Sequence, residues 1–342
     1  MADALAPTRC SVQRHERIAR NTLHLFTGLF IVLALVFAAL AAWQGDSFYL
    51  RLATEALILG GLAMSVDILL GYTGLLSLGQ ALYFGLGAYT SALVLRDLAP
   101  SFWLAMGITL VMATVVGLIA GVISLRARGV YFALITFGLA QVLSRAIYNT
   151  RELGASDGLI GIPVIDIPFG LFSVGAGDPL GFFLLVLTLI MMMYFAVSYL
   201  MQTPFGRLLM AIRTNEHRVP FLGFNPWRAK LIAFVLSVNI AALSGALYPM
   251  LRGFVSPELM FFQTSGNAVI TVILGGTGTL IGPLYGSVIL TVLKSVIGTL
   301  TEHHLIVIGG LFMIAVIFFP KGLIGYLQPL LTRWLNRGTG ND

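Results

Sequence analysis

A carboxylate followed by a glycine-rich break is the first feature of this sequence that could do chemistry. Asp67 lies inside the apolar stretch 57–70, and the residues GYTG follow it at 71–74. A charged side chain inside a membrane segment is costly and is usually paired or functional. Asp67 could accept hydrogen bonds from backbone N–H groups freed at the break, or it could contact an ammonium group on a substrate. We favour the structural role.

A second glycine-rich break, GGTGTLIGP at 275–283, follows the apolar stretch 266–275. By their length, 57–70 and 266–275 are both too short to cross about 30 Å of hydrocarbon as straight helices. Short, glycine-interrupted segments in the two halves of a chain point to a transport site in membrane carriers.

We therefore predict that the two breaks line a translocation pathway, with hydroxyl groups supplied by threonine and serine. The alternative is that the glycines only permit close packing of helices, and both interpretations stay open here. The predicted pathway residues are Asp67, Gly71, Thr73, Gly74, Ser77, Gln80, Gly275, Gly276, Thr277 and Gly278.

The composition requires that these residues be positioned by membrane helices. The chain has 342 residues, of which 58% are hydrophobic and only 10% are charged. A water-soluble core cannot use that much apolar surface, and the alternating pattern of an outer-membrane barrel is absent. We predict an all-α, polytopic membrane protein with about ten helical segments, eight to ten of them spanning. The segments are 25–42, 57–70, 75–95, 104–125, 130–148, 180–201, 231–251, 266–275, 284–300 and 303–319.

The basic residues predict the orientation. With the N-terminus inside, most Lys and Arg residues fall in inside pieces, and most acidic residues fall outside. This bias explains the formal net charge of +6 without nucleic acid as a partner. We therefore expect cytoplasmic tails at 1–24 and 328–342 around one permease domain at 25–327. A cleaved signal peptide is the competing interpretation of 25–42, but the run and the basic tail before it are long for one.

Several kinds of catalytic or metal site are missing from the sequence. There is no G-x-x-x-x-G-K-[ST] phosphate loop. The adjacent pair His303 and His304 has no cysteine or carboxylate at a spacing that completes a metal site. We expect no ATPase site, metal or cofactor in this chain. A channel or a membrane-embedded enzyme is a third alternative, and the lack of a polar constellation in the apolar segments argues against the enzyme.

The internal piece 203–230 is the second candidate for function. It is basic and partly amphipathic, which fits an interfacial helix on anionic lipid or a short helix that docks on a cytoplasmic partner. Gly223 and Pro226 should end it sharply, and Pro220 should begin or kink a helix within it.

Five motifs, in this order, closely resemble the LivM-type permeases of bacterial branched-chain amino acid ABC importers. The resemblance runs from about residue 56 to residue 327. The motifs are GYTGLLSLGQALYFGLGAY (71–89), RGVYFALITFGLAQVL (128–143), GASDGLIGIP (154–163), FGRLLMAIRTNEHRVPFLGFNPWRAKLIAFVLS (205–237) and ILGGTGTLIGPLYGSVIL (273–290).

The resemblance implies a multi-pass permease of the bacterial inner membrane. Its implied partners are a second permease of distinct sequence, two cytoplasmic ATP-binding subunits and a periplasmic substrate-binding protein. It also implies that the loop 203–230 couples to the ATPase, through Arg207, Arg213, Asn215, Glu216, Arg218 and Gly223. This chain departs from the family pattern at Pro220 and at Gln80, where a histidine is common.

The implied substrate is a branched-chain or other apolar amino acid. Urea or short amides are the alternative within the family. An ion-coupled secondary transporter is the rival from another class, but it needs intramembrane acids or histidines, and apart from Asp67 these are scarce.

Overall fold

The chain folds into a bundle of membrane-length helices with a short helical extension at one end. The computed structural model describes residues 9–163, 166–168, 173–175, 177–300 and 322–328, with single positions 306, 307, 309, 310 and 313. The helices in these residues are α1 (Arg9–Gln44), α2 (Ser47–Asp67), α3 (Gln80–Leu93), α4 (Phe102–Ser124), α5 (Val130–Asn149), α6 (Pro179–Gln202), α7 (Pro204–Asn215), α8 (Pro226–Ala246), α9 (Tyr248–Arg252), α10 (Phe262–Gly275) and α11 (Gly282–Leu300).

Seven helices in the described residues are long and apolar enough to cross a membrane. The prediction of an all-α, polytopic membrane protein is therefore confirmed, and the predicted number of about ten helical segments was approximate. The predicted segment 303–319 and the tail 328–342 lie almost wholly outside the described residues. The spans are Leu25–Gln44, Ser47–Thr73, Phe102–Ser124, Val130–Asn149, Pro179–Gln202, Pro226–Arg252 and Gly282–Thr299.

The second span lies at the centre of the bundle, and 78% of its most apolar window is buried against 28% for α4. Small side chains let its neighbours approach closely, as membrane helices require. The hydroxyl of Ser287 on α11 donates to the Ala56 carbonyl at 2.6 Å, and that of Ser237 on α8 donates to the Ser65 carbonyl at 2.6 Å. The outer helices α1 and α4 keep broad apolar faces exposed, as lipid-facing helices do.

The prediction that 57–70 is too short to span was wrong. Asp46 caps the N-terminus of α2 by accepting from the Phe48 N–H at 3.1 Å, and a π-helical turn, Ile68–Thr73, continues the helix. The whole span has 27 residues, or about 40 Å. Its first turns escaped the hydropathy pattern because they carry charge, and Glu55 is paired with Arg252 at 2.5 Å.

The following segment is interrupted instead. The prediction of a helix over 75–95 was wrong at its start, because residues 74–79 are not helical and α3 begins at Gln80. Gly74 ends the π-helical turn at φ 74°, a left-handed conformation that glycine adopts without strain. The predicted short segment 266–275 is confirmed as short, since α10 has 14 residues.

The loop predicted to couple forms two short helical elements. Pro204 occupies the first turn of α7, where its missing N–H costs nothing. A 3-10 segment, Glu216–Leu222, follows with Pro220 inside it, and Gly223 ends it at φ 81°. Asn225 then caps α8 by accepting from the N–H groups of Trp227 and Arg228 at 3.0 and 3.3 Å. We call this end of the bundle the α7 end and the other one the opposite end.

Two pairs of short strands form in the loops, and one of them joins loops that are far apart in the sequence. β1 (Leu159–Ile160) pairs antiparallel with β4 (Phe254–Val255), and β2 (Asp166–Pro168) pairs antiparallel with β3 (Ser173–Gly175). The first pair ties the loop after α5 to the chain between α9 and α10 at the opposite end. These two connections are therefore held together before α10 begins.

Candidate functional site

The two glycine breaks lie against each other, and Asp67 joins them. Its Oδ1 accepts from the N–H of Gly278 at 2.6 Å, and its Oδ2 accepts from that of Leu280 at 2.9 Å. Asp67 has no exposed surface. A carboxylate that receives backbone N–H groups is well satisfied despite its burial. These hydrogen bonds are of the kind that the favoured structural role requires, but the N–H groups belong to the second break and not to the adjacent one, and the role of Asp67 stays a prediction.

Arg213 brings the loop helix α7 to the same place. Its guanidinium Nη1 donates to the carbonyl of Gly71. Its stem covers Gly74, where an added Cβ would lie 3.1 Å from Arg213 Cγ. Asp67, Gly71, Gly74, Arg213 and Gly278 therefore form one contact region, which we call the break junction.

Close backbone approach explains why glycine occupies position 71. An added Cβ there would lie 2.6 Å from the backbone nitrogen of Gly278 and 2.7 Å from its Cα. Contacts below about 3 Å with rigid backbone force the chains apart. The break junction can thus form only when this position carries no side chain.

The predicted pathway residues divide by exposure. Thr73 donates to the Leu69 carbonyl within its own helix at 2.6 Å, and the Ser77 hydroxyl accepts from the Gly79 N–H at 3.4 Å. Gly278 is half-buried. The buried members are Asp67, Gly71, Thr73, Ser77, Gln80, Gly275 and Gly276, whereas Gly74 and Thr277 are exposed. Their role in a pathway stays a prediction.

An exposed apolar surface covers the outside of the loop. Phe221 is 90% exposed and Leu222 is 67% exposed, and both project from the 3-10 segment. Phe224 and Trp227 continue this surface. The same loop also exposes the basic residues Arg207, Arg218 and Arg228. We call Phe221, Leu222, Phe224 and Trp227 the loop aromatic patch, since three of its four members are aromatic.

Two polar residues predicted to couple have partners inside the loop. Asn215 caps the 3-10 segment by accepting from the His217 N–H at 3.1 Å. Glu216 pairs with Lys230 of α8 at 2.5 Å, and the Lys230 side chain is only 8% exposed. These contacts fix the 3-10 segment, and with it the loop aromatic patch, against α8. Sequence reasoning missed Lys230, although its 14-residue distance from Glu216 across a turn was a usable signal.

Replacing Lys230 with methionine should loosen the loop. Glu216 would lose its partner while remaining part-buried, so we expect a loss of roughly 1–2 kcal/mol in stability. Thermal unfolding of the purified protein measures the effect. The exposed Arg228, replaced in the same way, is the matched control and should change little. Equal effects of the two substitutions would show that the ion pair does not hold the loop.

In the described part of the chain, no group of three or more His, Cys, Asp or Glu side chains could hold a metal ion. His303 and His304 lie outside the described residues. The site geometry therefore consists of backbone breaks, one buried carboxylate and a loop with an exposed aromatic surface. This arrangement can transmit a displacement of α7 to the ends of two membrane segments.

A multi-pass helical membrane protein with broken segments is the class that this fold defines. A family model described as "Branched-chain amino acid transport system / permease component" matches residues 48–316. The chain belongs to this family of permeases. No solved structure matches it.

Curated relatives cover most of the chain. The LivM permease protein of the high-affinity branched-chain amino acid transport system of Escherichia coli K12 is 31% identical over 324 residues, covering 89% of this chain and 76% of its own length. The LivH permease protein of Salmonella typhimurium is 22% identical, covering 80% and 92%. The ribose import permease RbsC of Bacillus subtilis is 27% identical, covering 86% and 92%.

Proposed function

We propose that this chain is the inner-membrane permease subunit of an ABC importer for branched-chain or other apolar amino acids. Separate subunits bind and hydrolyse ATP, and the loop 203–230 passes their motion to the membrane helices. The break junction is the observation that carries this proposal. It links α7 directly to the end of the second span and to the loop between α10 and α11.

The loop aromatic patch supports an ATPase partner at the α7 end. Apolar side chains that are 67–90% exposed beside basic residues are typical of a surface that a partner protein covers. Asn215 and Glu216 then act by holding the patch in place, whereas Arg207 and Arg218 are free to contact the partner. Gly223 allows the sharp turn that presents the patch.

The hydrogen bonds that Asp67 accepts favour an ATP-driven importer over an ion-coupled transporter. A coupling carboxylate must exchange a proton or an ion with water during transport. Both oxygens of Asp67 instead accept backbone N–H groups, and the side chain is fully buried. Its part in the proposed mechanism is to keep the two breaks moving as one unit.

The remaining partners follow from the relatives and from charge. LivM and LivH are both named permease proteins of one kind of transport system, which supports a second permease of different sequence as the partner in the membrane. The basic residues of the loop support a cytoplasmic location for the α7 end, and both termini are proposed to lie on the same side. A periplasmic substrate-binding protein would then dock at the opposite end, near the paired strands β1 and β4.

Purification from native membranes in mild detergent tests the assembly. We expect a P-loop ATPase and a second permease to co-purify, and the reconstituted complex to take up leucine only with ATP inside and binding protein outside. Uptake of urea but not leucine would favour the amide alternative. Recovery of the chain alone, with ion-driven uptake and no ATP, would overturn the proposal.

Replacing Arg213 with alanine should uncouple transport. The bond to the Gly71 carbonyl is lost while α7 stays packed through its buried Leu209 and Ile212, so the protein should remain folded. We expect uptake to fall about tenfold or more while ATP hydrolysis continues, because a charged hydrogen bond is worth about 1.5–3 kcal/mol.

The neighbouring Thr214 offers a control for this substitution. It is exposed, and its hydroxyl donates to the Met210 carbonyl of its own helix. Thr214→Ala should transport normally. Normal uptake by Arg213→Ala in the same membranes would refute the role of the junction in coupling.

A further inference from the structure

Two helices, α3 and α10, begin inside the bundle and pass each other antiparallel for about one turn, since Ala81 contacts Ser265 and residue 85 lies against Met260. Residue 79 lies against the Thr136 carbonyl, and the ring of Phe262 packs on that of Phe137 at 5.3 Å. Thr136 is six residues from the start of α5, which is about 9 Å, and Phe137 is twelve residues from its end, about 18 Å. The N-terminus of α3 therefore lies well within the span of α5, whereas that of α10 lies closer to the end of α5, where the Phe261 ring is 6.3 Å from that of Tyr148.

These two N-termini are linked by polar contacts. The N–H of Ala81 in α3 donates to the hydroxyl of Ser265 in α10 at 3.0 Å. The N–H of Leu78, just before α3, donates to the hydroxyl of Thr136 at 3.3 Å. The residues at the two N-cap positions, Gly79 and Phe261, have no side-chain oxygen to receive further N–H groups. Because the helices run antiparallel and overlap, the positive ends of their dipoles lie about one turn apart and face opposite ways, and the N-terminus of α3 is the one that carries Gln80.

Gln80 provides an independent sign of a ligand at this place. It is the first residue of α3, it has no exposed surface, and neither Oε1 nor Nε2 has a hydrogen-bond partner in the described part of the chain. Leaving a buried amide without partners is costly, so such groups normally bind something. A glutamine amide offers one donor group and one acceptor group.

We propose that the N-terminus of α3, with the amide of Gln80, binds the head group of the transported amino acid. The inference rests on the proposed function and names the group recognised. The carboxylate lies at the N-terminus of α3, where anions are favoured. The Gln80 Nε2 donates to the carboxylate, and its Oε1 accepts from the ammonium group. The hydroxyls of Thr136, Ser77 and Ser265 also lie at this N-terminus, where they accept from the N–H groups of Leu78, Gly79 and Ala81.

The first turns of α10 provide the approach to this site. Gln263 is exposed and Asn267 is half-exposed within a membrane helix. Polar side chains at this depth normally face a water-filled cavity or another protein chain. Arg145 of α5 is also exposed, and its guanidinium lies 5.7 Å from the centre of the Tyr148 ring. The Tyr148 ring in turn packs against that of Phe261. The guanidinium of Arg145 is therefore an exposed cation near the N-terminus of α10.

Two substitutions of Gln80 test the proposal in the complete reconstituted importer. Gln80→Glu keeps nearly the same side-chain shape but adds a negative charge, which should repel the carboxylate of the ligand. Gln80→Leu removes the hydrogen-bonding groups and should leave the melting temperature unchanged or higher, because the native amide has no partner in the folded protein. We expect both to reduce ATP-dependent leucine uptake about tenfold or more, while hydrolysis stimulated by leucine-loaded binding protein continues.

The controls separate the two proposals. Gln202→Glu, at the exposed end of α6, should transport normally. Absence of ATP-dependent uptake by the unmodified importer would refute the proposed function itself. With uptake present, normal transport by Gln80→Leu would overturn the binding site. A large fall in its melting temperature would also overturn it, by showing that Gln80 has a structural partner.

Discussion

Replacing Asp67 with asparagine is expected to lower stability by about 3 kcal/mol and to abolish uptake. In the native protein the Asp67 carboxylate accepts hydrogen bonds from the backbone N–H groups of Gly278 and Leu280. An amide can receive only one of them and places its own NH₂ against the other. Each hydrogen bond to a buried charged group is worth about 1.5–3 kcal/mol, so the loss is large. Thermal unfolding in detergent and uptake in proteoliposomes measure the two effects.

Asp178 is the matched control for this prediction. It also accepts from two backbone N–H groups, those of Leu180 and Gly181 at 3.2 Å each, but it is exposed at the start of α6. Its replacement by asparagine should cost less than about 1 kcal/mol, as at other exposed caps. If the two substitutions lowered the melting temperature equally, burial and the link between the breaks would not be what makes Asp67 important.

Gly71→Ala is expected to disrupt the break junction almost as severely. The added methyl group would meet the backbone nitrogen and Cα of Gly278 at 2.6 and 2.7 Å, and neither can rotate away. Overpacking of this kind typically costs about 1–3 kcal/mol. The displaced backbone would also weaken the bonds that Arg213 and Asp67 make, so uptake should fall at least tenfold. Expression level, melting temperature and uptake are the measurements.

Gly107→Ala controls for the general effect of adding a methyl group to a membrane helix. Position 107 lies in the spanning helix α4, and an added Cβ there meets nothing within 4 Å. The substitution should be neutral or slightly stabilising, because alanine favours helix more than glycine does. Unimpaired uptake by Gly71→Ala would mean that the breaks do not touch in the working transporter.

The helical membrane fold could be predicted from the sequence because long apolar runs leave few other structures possible in a bilayer. The error in the second span has a physical cause. Arg51 and Glu55 made its first turns look like a loop, yet Glu55 is paired with Arg252 from a segment almost 200 residues away. A hydropathy profile scores each residue by its own type, so it cannot show that Glu55 is paired with a residue distant in the sequence.

The site could be predicted in part. The glycine breaks and the structural role of Asp67 follow from local chemistry, because a buried carboxylate must find donors. The identity of those donors does not, since Gly278 and Leu280 are brought to Asp67 only by the packing of α10 and α11. The same limit applies to Gln80. Only the folded structure, in which the neighbours of Gln80 are known, shows that its amide lacks hydrogen-bond partners.

The link between Asp67 and Gly278 also has a consequence for how the protein is made. The two residues are 211 positions apart, so at about 5–20 residues per second the ribosome needs roughly 10–40 s to supply the partner. Throughout that interval an unpaired carboxylate sits in a newly inserted helix. Nascent chains that stop before residue 278 should therefore be recognised as incomplete and degraded, whereas chains extended beyond residue 280 can close the junction and survive.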